Sequence, residues 1–414
     1  MTETPAGRAL SPYRVLDLTT ERSWLTGKLL ADLGASVTKV EPPGGDPGRL
    51  RGPYAGDEAG PEAGLAWWAY NRGKRSVTLA LDTADGRDLL LRLAARADAV
   101  LESFRPGQLE DYGLGYDALA RVSPALVLTR VSPFGQDGPY ARFAASDLIL
   151  AALGGAAWMT GDPDRAPVRI STPQYFLHAA AEAAVHTCAA LYHAAVTGQG
   201  QQIDVSAQLA TVRTLMNAVP HPHTDGQVLA RSTFGAPNAR VPYRSVYRCA
   251  DGYIVASVTF GPGLPGYLAW LRAEGAELPG FLAGLADPGP DPSPGQPPEF
   301  GARVSDVLAA FFAPRGKHLL AEQALAYRLM LVPVNTLADI AADPQLAARG
   351  YFAAVEHDGR DPVPYPTTWA HLSRTPLAAT PRAPAVGADN RAVWLGEVGL
   401  GAAELRACQL AGTI

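Results

Sequence analysis

Cysteine is scarce in this chain, with three residues in 414: Cys188, Cys249 and Cys408. They are odd in number and far apart, so they form neither a disulfide framework nor a Cys-x-x-Cys metal site. Charge is sparse as well. Asp, Glu, Lys and Arg make up 18% of the chain against 47% hydrophobic residues, which allows a sizeable core and excludes dominant disorder. The net charge is −5, from 35 basic and 40 acidic residues. That argues against general binding to nucleic acid but leaves room for a local basic pocket. No apolar run reaches the roughly 20 residues that span a bilayer. The opening MTETPAGRALSPYR lacks the apolar core of a secretory signal. A soluble cytoplasmic protein with no membrane partner is expected. Neither G-x-G-x-x-G nor G-x-x-x-x-G-K-[ST] occurs. Gly44-Gly45-Asp46-Pro47-Gly48 has neither spacing, so a nicotinamide or nucleoside triphosphate cofactor is unsupported. His-Glu-x-x-His is absent too, and no metal is expected.

What the chain does contain is alternation. Val15 to Leu18 is a short apolar run, and Trp24 to Leu33 has helical spacing that Gly34 is placed to end. Ser36 to Val40 reads as a second strand. Further strands are expected at Ser76 to Leu81, Ala99 to Leu101, Leu126 to Val131 and Gln202 to Val205. Helices fall between them, one capped by Asp82 or Thr83 and a long Ala-rich one over Tyr175 to Ala195. Such alternation implies right-handed βαβ units and a parallel sheet. The pattern changes after about Asn217. Ser245 to Tyr247 and Tyr253 to Val258 read as a hairpin turning at Ala250-Asp251-Gly252. Asp287 to Pro298 reads as a loop, and helices are expected at Arg303 to Phe312, Leu319 to Leu331 and Ala402 to Cys408. The division expected is a large α/β domain over 1–217, a small domain over 218–345, and a tail over 346–414 that returns to the large domain.

Five segments, in order, carry a more specific signal. They are Val15-Leu-Asp-Leu-Thr19 with Leu30-Ala-Asp-Leu-Gly-Ala-Ser-Val-Thr-Lys-Val-Glu-Pro-Pro43; Asn71-Arg-Gly-Lys-Arg-Ser-Val77; Ala97-Asp-Ala-Val-Leu-Glu-Ser-Phe-Arg-Pro-Gly107; Ser132-Pro-Phe-Gly-Gln-Asp-Gly-Pro-Tyr140; and Thr197-Gly-Gln-Gly-Gln-Gln-Ile-Asp-Val205. Together they resemble the class III CoA-transferase (CaiB/BaiF) family, which includes formyl-CoA transferase and alpha-methylacyl-CoA racemase. The resemblance implies a Rossmann-like large domain with a parallel sheet, a smaller α+β domain, and an interlocked-ring homodimer. It implies coenzyme A or an acyl-CoA as substrate, with a carboxylic acid as its partner and no tightly bound cofactor.

CoA needs fixed cations for its phosphates and an apolar face for its adenine. Lys74 and Arg75 precede a strand and are candidates for the cations. Arg105 follows a strand, on the side where open α/β sheets bind ligands, and its fork suits phosphate. Phe104 can face the adenine. Ser103 lies in the same loop. The resemblance adds Thr20, Glu21 and Arg22, which follow the first strand where family members contact CoA and its acyl group.

Transfer of CoA between acids needs a carboxylate nucleophile. The family resemblance puts an aspartate at the start of the long helix, but this chain has Phe176 there. The racemase branch uses a histidine from Gly-His-Asp; here the stretch is Ala145-Ser146-Asp147. Asp147 is expected as a helix cap. His178, Glu182, His186 and His193 share one helical stripe, so Glu182 is the candidate displaced nucleophile or base and His178 its proton partner. Gly261-Pro262-Gly263 stands where transferases of the family carry a Gly-rich mobile loop. Three readings remain: CoA transfer by a non-standard residue; an acyl-CoA isomerase, lyase or hydrolase; or a non-catalytic CoA-ester-binding subunit that pairs with an active relative.

Overall fold

The computed structural model describes residues 7–56, 59–232, 241–259, 262–283, 285, 293, 295–357, 359–377 and 380–414. The chain divides into two compact units. The first comprises 1–155, 170–216 and 344–414, and the second comprises 156–169 and 217–343.

The first unit is built on a parallel sheet of six strands: β1 (Arg14–Leu18), β2 (Ser36–Glu41), β3 (Arg75–Thr78), β4 (Ala99–Glu102), β5 (Val127–Ser132) and β6 (Gln202–Ser206), in the order β3-β2-β1-β4-β5-β6. The register pairs Val15 with Val37 on one side and Ala99 on the other. These strands are rich in Val and Leu because both of their faces are covered. Val15, Val37, Leu101 and Val127 pack on one face with Leu30, Ala184 and Leu191. Leu16, Val40, Val100 and Leu128 pack on the other with Leu89, Leu93, Val393 and Trp394.

The covering helices are α1 (Trp24–Asp32), α2 (Leu65–Tyr70), α3 (Ala84–Ala94), α4 (Tyr116–Val122), α5 (Asp147–Leu153), α6 (Tyr175–Thr197) and α7 (Ala207–Arg213). Thr83 caps α3 by accepting from Gly86 N at 3.0 Å. Helix α6 meets α1 through small residues, Ala179, Ala180, Ala183 and Ala184 being buried, and Thr26 Oγ1 donates to Ala180 O at 3.0 Å.

The second unit carries a three-stranded antiparallel sheet, β7 (Val246–Cys249), β8 (Gly252–Ser257) and β9 (Met330–Pro333). It packs on α8 (Gly263–Ala273), α9 (Pro298–Phe312) and α10 (Lys317–Ala326) around Tyr247, Tyr267, Trp270 and Phe312. Strand β9 corrects the sequence expectation of a helix continuing to Leu331. The chain leaves α10 at Tyr327, Arg328 takes a left-handed φ of 56°, and Val332 then pairs with Val255. Leu331 satisfies a helical and a strand pattern equally, and the sheet decides between them. Residues 287–292 and Pro294, within the expected loop, lie outside the described residues, as does Gly261. Pro262 and Gly263 open α8.

Returning to the first unit, β10 (Phe352–His357) and β11 (Arg360–Pro366) form a hairpin. Pro362, Pro364 and Pro366 alternate along β11, which has no second partner strand among the described residues; prolines fit such an edge because they lack the N–H a further strand would need. The last helix is α11 (Ala402–Leu410).

Candidate functional site

The strand order reverses between β1 and β4. Their carboxyl ends therefore send loops in opposite directions and leave a crevice, the usual ligand position in an open parallel sheet. The two loops meet here. Thr20 N donates to Ser103 Oγ at 2.8 Å, and the Thr20 and Ser103 hydroxyls lie 3.0 Å apart. Beside this contact is a cavity of ≈ 520 Å³. Leu18, Val40, Pro42, Leu79, Phe104 and Tyr112 give it apolar walls, and Thr20, Lys39, Asp82, Thr83 and Gln108 supply polar groups. An apolar slot with a few convergent polar groups can hold a flat heterocycle with a hydroxylated arm.

Most charge around the cavity is neutralised within the protein. Lys39 Nζ donates to Thr19 O at 2.5 Å and lies 3.3 Å from Asp46. Glu41 accepts a two-pronged bond from Arg49 at 2.6 and 2.8 Å and a third from Ser76 Oγ at 2.6 Å. Burial alone raises the Glu41 carboxyl; Arg49, Lys39 and Ser76 together outweigh it and hold the group below the usual value. The Phe104 loop is fixed from beneath. Phe104 N donates to Glu102 at 2.6 Å, Arg130 Nε donates to Glu102 at 2.7 Å, and Arg130 forks onto Glu110 at 2.7 and 2.9 Å. Glu102 is so enclosed that burial outweighs Arg130 and its carboxyl stays raised.

The structure brings Thr20, Ser103 and Phe104 together at the crevice. It corrects the placement of two expected cations. Lys74 is buried, and its ammonium donates to Asp17 at 2.7 Å and to Trp24 O and Asn71 at 2.8 Å each. All three donors are used inside the core, so none faces a phosphate. Burial pushes this lysine down to about 8, against the pull of Asp17. Arg75 opens β3 beside Thr38, at the end of the sheet opposite the crevice. It donates to Thr38 Oγ1 at 2.8 Å and pairs with Glu397. Arg105 is exposed and paired with Asp111. Glu21 pairs with Arg51 at 2.8 Å. The half-buried Arg22 lies with its guanidinium carbon 5.5 Å from the centre of the Phe176 ring.

Phe176 is buried in the first turn of α6. A carboxylate does reach this turn: Asp147, which leads α5 but caps α6. It accepts from Tyr175 N at 2.8 Å, Gln174 N at 3.1 Å and Phe176 N at 3.4 Å. Ser146 caps α5 in its turn, accepting from Ile149 N at 3.4 Å. Glu182 is held by Arg213 of α7. Among the described residues no hydrogen bond joins Glu182 to His178. His178, His186 and His193 are exposed on the outward side of α6, a side they share with exposed Val185, Tyr192 and Val196. The expected acid–base pair is therefore not assembled within this chain.

Sequence reasoning missed most of the cavity wall: Lys39, Pro42, Asp82, Thr83, Gln108 and Tyr112. Each lies on β2 or in a segment following β2, β3 or β4. The rule that ligands bind beyond carboxyl strand ends points to the segments after β2 and β3 as well as those after β1 and β4, and so extended it reaches Pro42, Asp82 and Thr83.

Comparison with known proteins agrees with this architecture. The chain matches the model of CoA-transferase family III over residues 10–390. It is 33% identical to the succinyl-CoA:(R)-benzylsuccinate CoA-transferase subunit BbsE of Thauera aromatica, over 94% of each chain. It is 31% identical to the succinyl-CoA–D-citramalate CoA-transferase of Chloroflexus aurantiacus, over 95% of each. Among solved structures, a CAIB/BAIF family protein from Brucella suis superposes with a TM-score of 0.82 at 30% identity, covering 94% of this chain and 99% of its own. With its six-stranded parallel sheet and a match over nearly its whole length, this chain belongs to CoA-transferase family III.

Proposed function

We propose that this chain is the acyl-CoA-binding subunit of a CoA-transferase whose carboxylate nucleophile comes from a second polypeptide. One observation carries the reading: the first turn of α6 holds Phe176, and the carboxylates beside that turn are already committed. Asp147 accepts three backbone N–H groups, so its oxygens are engaged by the turn. Glu182 is six residues further along α6, about 9 Å along the axis, and is paired with Arg213. The crevice between β1 and β4, with its apolar cavity, supports binding of the CoA adenosine. The Thauera relative is itself named as a subunit of a transferase.

In the test, the purified chain is mixed with succinyl-CoA and a labelled acceptor acid, first alone and then with a family member that carries the aspartate. Alone, it binds the thioester without transfer; in the mixed assembly, labelled acyl-CoA accumulates. A hydroxylamine-trapped acyl or CoA adduct on Glu182, Asp147 or any other carboxylate of the chain incubated alone would overturn the proposal.

A further inference from the structure

Arg22 differs from the other enclosed cations of the first unit. Lys39, Arg49, Lys74 and Arg130 each donate to carboxylates or carbonyls. Arg22 is half-buried, yet among the described residues no acceptor lies within hydrogen-bonding distance of its guanidinium. It stands instead by the ring of Phe176, 5.5 Å away. The carboxylate next to it in sequence and the one at the Phe176 turn are occupied. Glu21, its neighbour in sequence, is taken by Arg51 at 2.8 Å. Asp147, which caps the turn that carries Phe176, is taken by the backbone there.

The guanidinium of Arg22 has no acceptor among the described residues and keeps access to solvent, so its donors are open to a ligand. The Phe176 ring adds a cation–π attraction to that guanidinium. What completes such a fork is a carboxylate, bound through two parallel N–H···O bonds. Where the family resemblance leads to an expected aspartate, the ring of Phe176 stands beside a cation instead.

We propose that Arg22, braced by Phe176, is a specificity-determining residue that binds the distal carboxylate of a dicarboxylic acyl group. The ligand class is the CoA monothioester of a dicarboxylic acid. This deepens the reading above and rests on it for the identity of the first turn of α6 as the acyl end of the site.

Succinyl-CoA and butyryl-CoA differ only in a terminal carboxylate against a methyl group. Their dissociation constants are measured by titration calorimetry without acceptor acid, on the whole chain and on its assembly with an aspartate-bearing family member. The chain binds succinyl-CoA about tenfold or more tighter than butyryl-CoA. Arg22→Gln removes that ratio and leaves the affinity for butyryl-CoA unchanged. Arg22→Lys keeps charge without the fork and restores part of the ratio. Phe176→Leu reduces the ratio about two- to fivefold. A ratio near one in the unmodified chain, or one that survives Arg22→Gln, overturns the assignment. So does an equal loss for both esters in Arg22→Gln, which would place the guanidinium on a CoA phosphate. If neither ester binds, the reading of the chain as an acyl-CoA-binding subunit fails as well. If both bind with a ratio near one, only the carboxylate assignment falls.

Discussion

Lys74 places its ammonium among three oxygen acceptors in a site closed to water. Its partner Asp17 is equally enclosed. Burial raises the Asp17 carboxyl, but Lys74 and Lys39 outweigh that and hold it below its ordinary value. A Cβ on Gly27 would come within 2.3 Å of Asp17 Oδ2, so only glycine lets α1 approach the pair this closely. Removing one member of such a pair leaves a bare buried charge. Lys74→Met is expected to cost about 3–5 kcal/mol in urea unfolding. Asp17→Leu combined with Lys74→Met should be less damaged than either single variant. If thioester affinity fell in Lys74→Met with no change in the unfolding midpoint, the lysine would be a ligand after all. The cavity-side residues behave differently: Phe104, Thr20 and Ser103 meet at the crevice because Arg130 and Glu102 anchor their loop from below.

At the scale of elements, the sequence motifs are mostly contacts with one another. Asp17 of the first binds Lys74 of the second. Gln136 N of the fourth donates to Asp204 of the fifth at 2.8 Å. The turn from α6 to β6 shows why its glycines are needed. Gly198 ends α6 with a φ of 73°, a left-handed conformation that glycine adopts without strain. Gly200 has an ordinary φ but no space, since a Cβ there would lie 1.9 Å from Leu126 O. Gly200→Ala must push β5 and β6 apart locally, and a loss of about 2 kcal/mol or more in unfolding free energy is expected. Gly198→Ala should cost about 1 kcal/mol. Equal, small effects at the two positions would contradict the packing argument. At the other end of α6, Asp147 is an N-cap supplied from another helix. Its charge suits the positive end of a long helix, and the residue expected as a helix cap serves the neighbouring helix.

The whole first unit depends on distant parts of the chain. Val393 and Trp394 are fully buried against strands from the N-terminal half of the chain, and Asp389 and Asn390 accept from Ser76 N and Thr78 N at 2.9 and 2.8 Å. Two enclosed carboxyls set the acid limit of this unit. Asp17 and Glu41 are held below their ordinary values of 3.8 and 4.5, so the unfolded chain binds protons that the folded chain refuses. The stability they contribute is complete above about pH 4.5 and is lost as the pH falls below it. Glu102, raised by burial, runs the other way and offsets part of the slope. Urea midpoints should be level from about pH 7 to 5 and drop progressively towards about pH 3. A midpoint that stayed level over that whole range would show that these pairs do not hold the fold.

Local pattern made much of this legible. Short runs of Val and Leu alternating with amphipathic helices specify a parallel sheet covered on both sides, because only that arrangement buries both faces of such strands. The five ordered motifs carried the family, and the length of α6 followed from a stretch without internal glycine or proline. Tertiary structure decided which charges serve a ligand and which serve the core. Lys74 and Asp17 lie 57 residues apart, and nothing local distinguishes a lysine that will meet a buried aspartate from one that will meet phosphate. The same holds for Leu331, whose neighbours fit helix and strand alike until β8 supplies hydrogen bonds. It holds most of all for Arg22 and Phe176. From sequence they were a candidate contact to CoA and its acyl group and a missing acid, and only their approach in space, made by α1 packing on α6, turns the two into one feature.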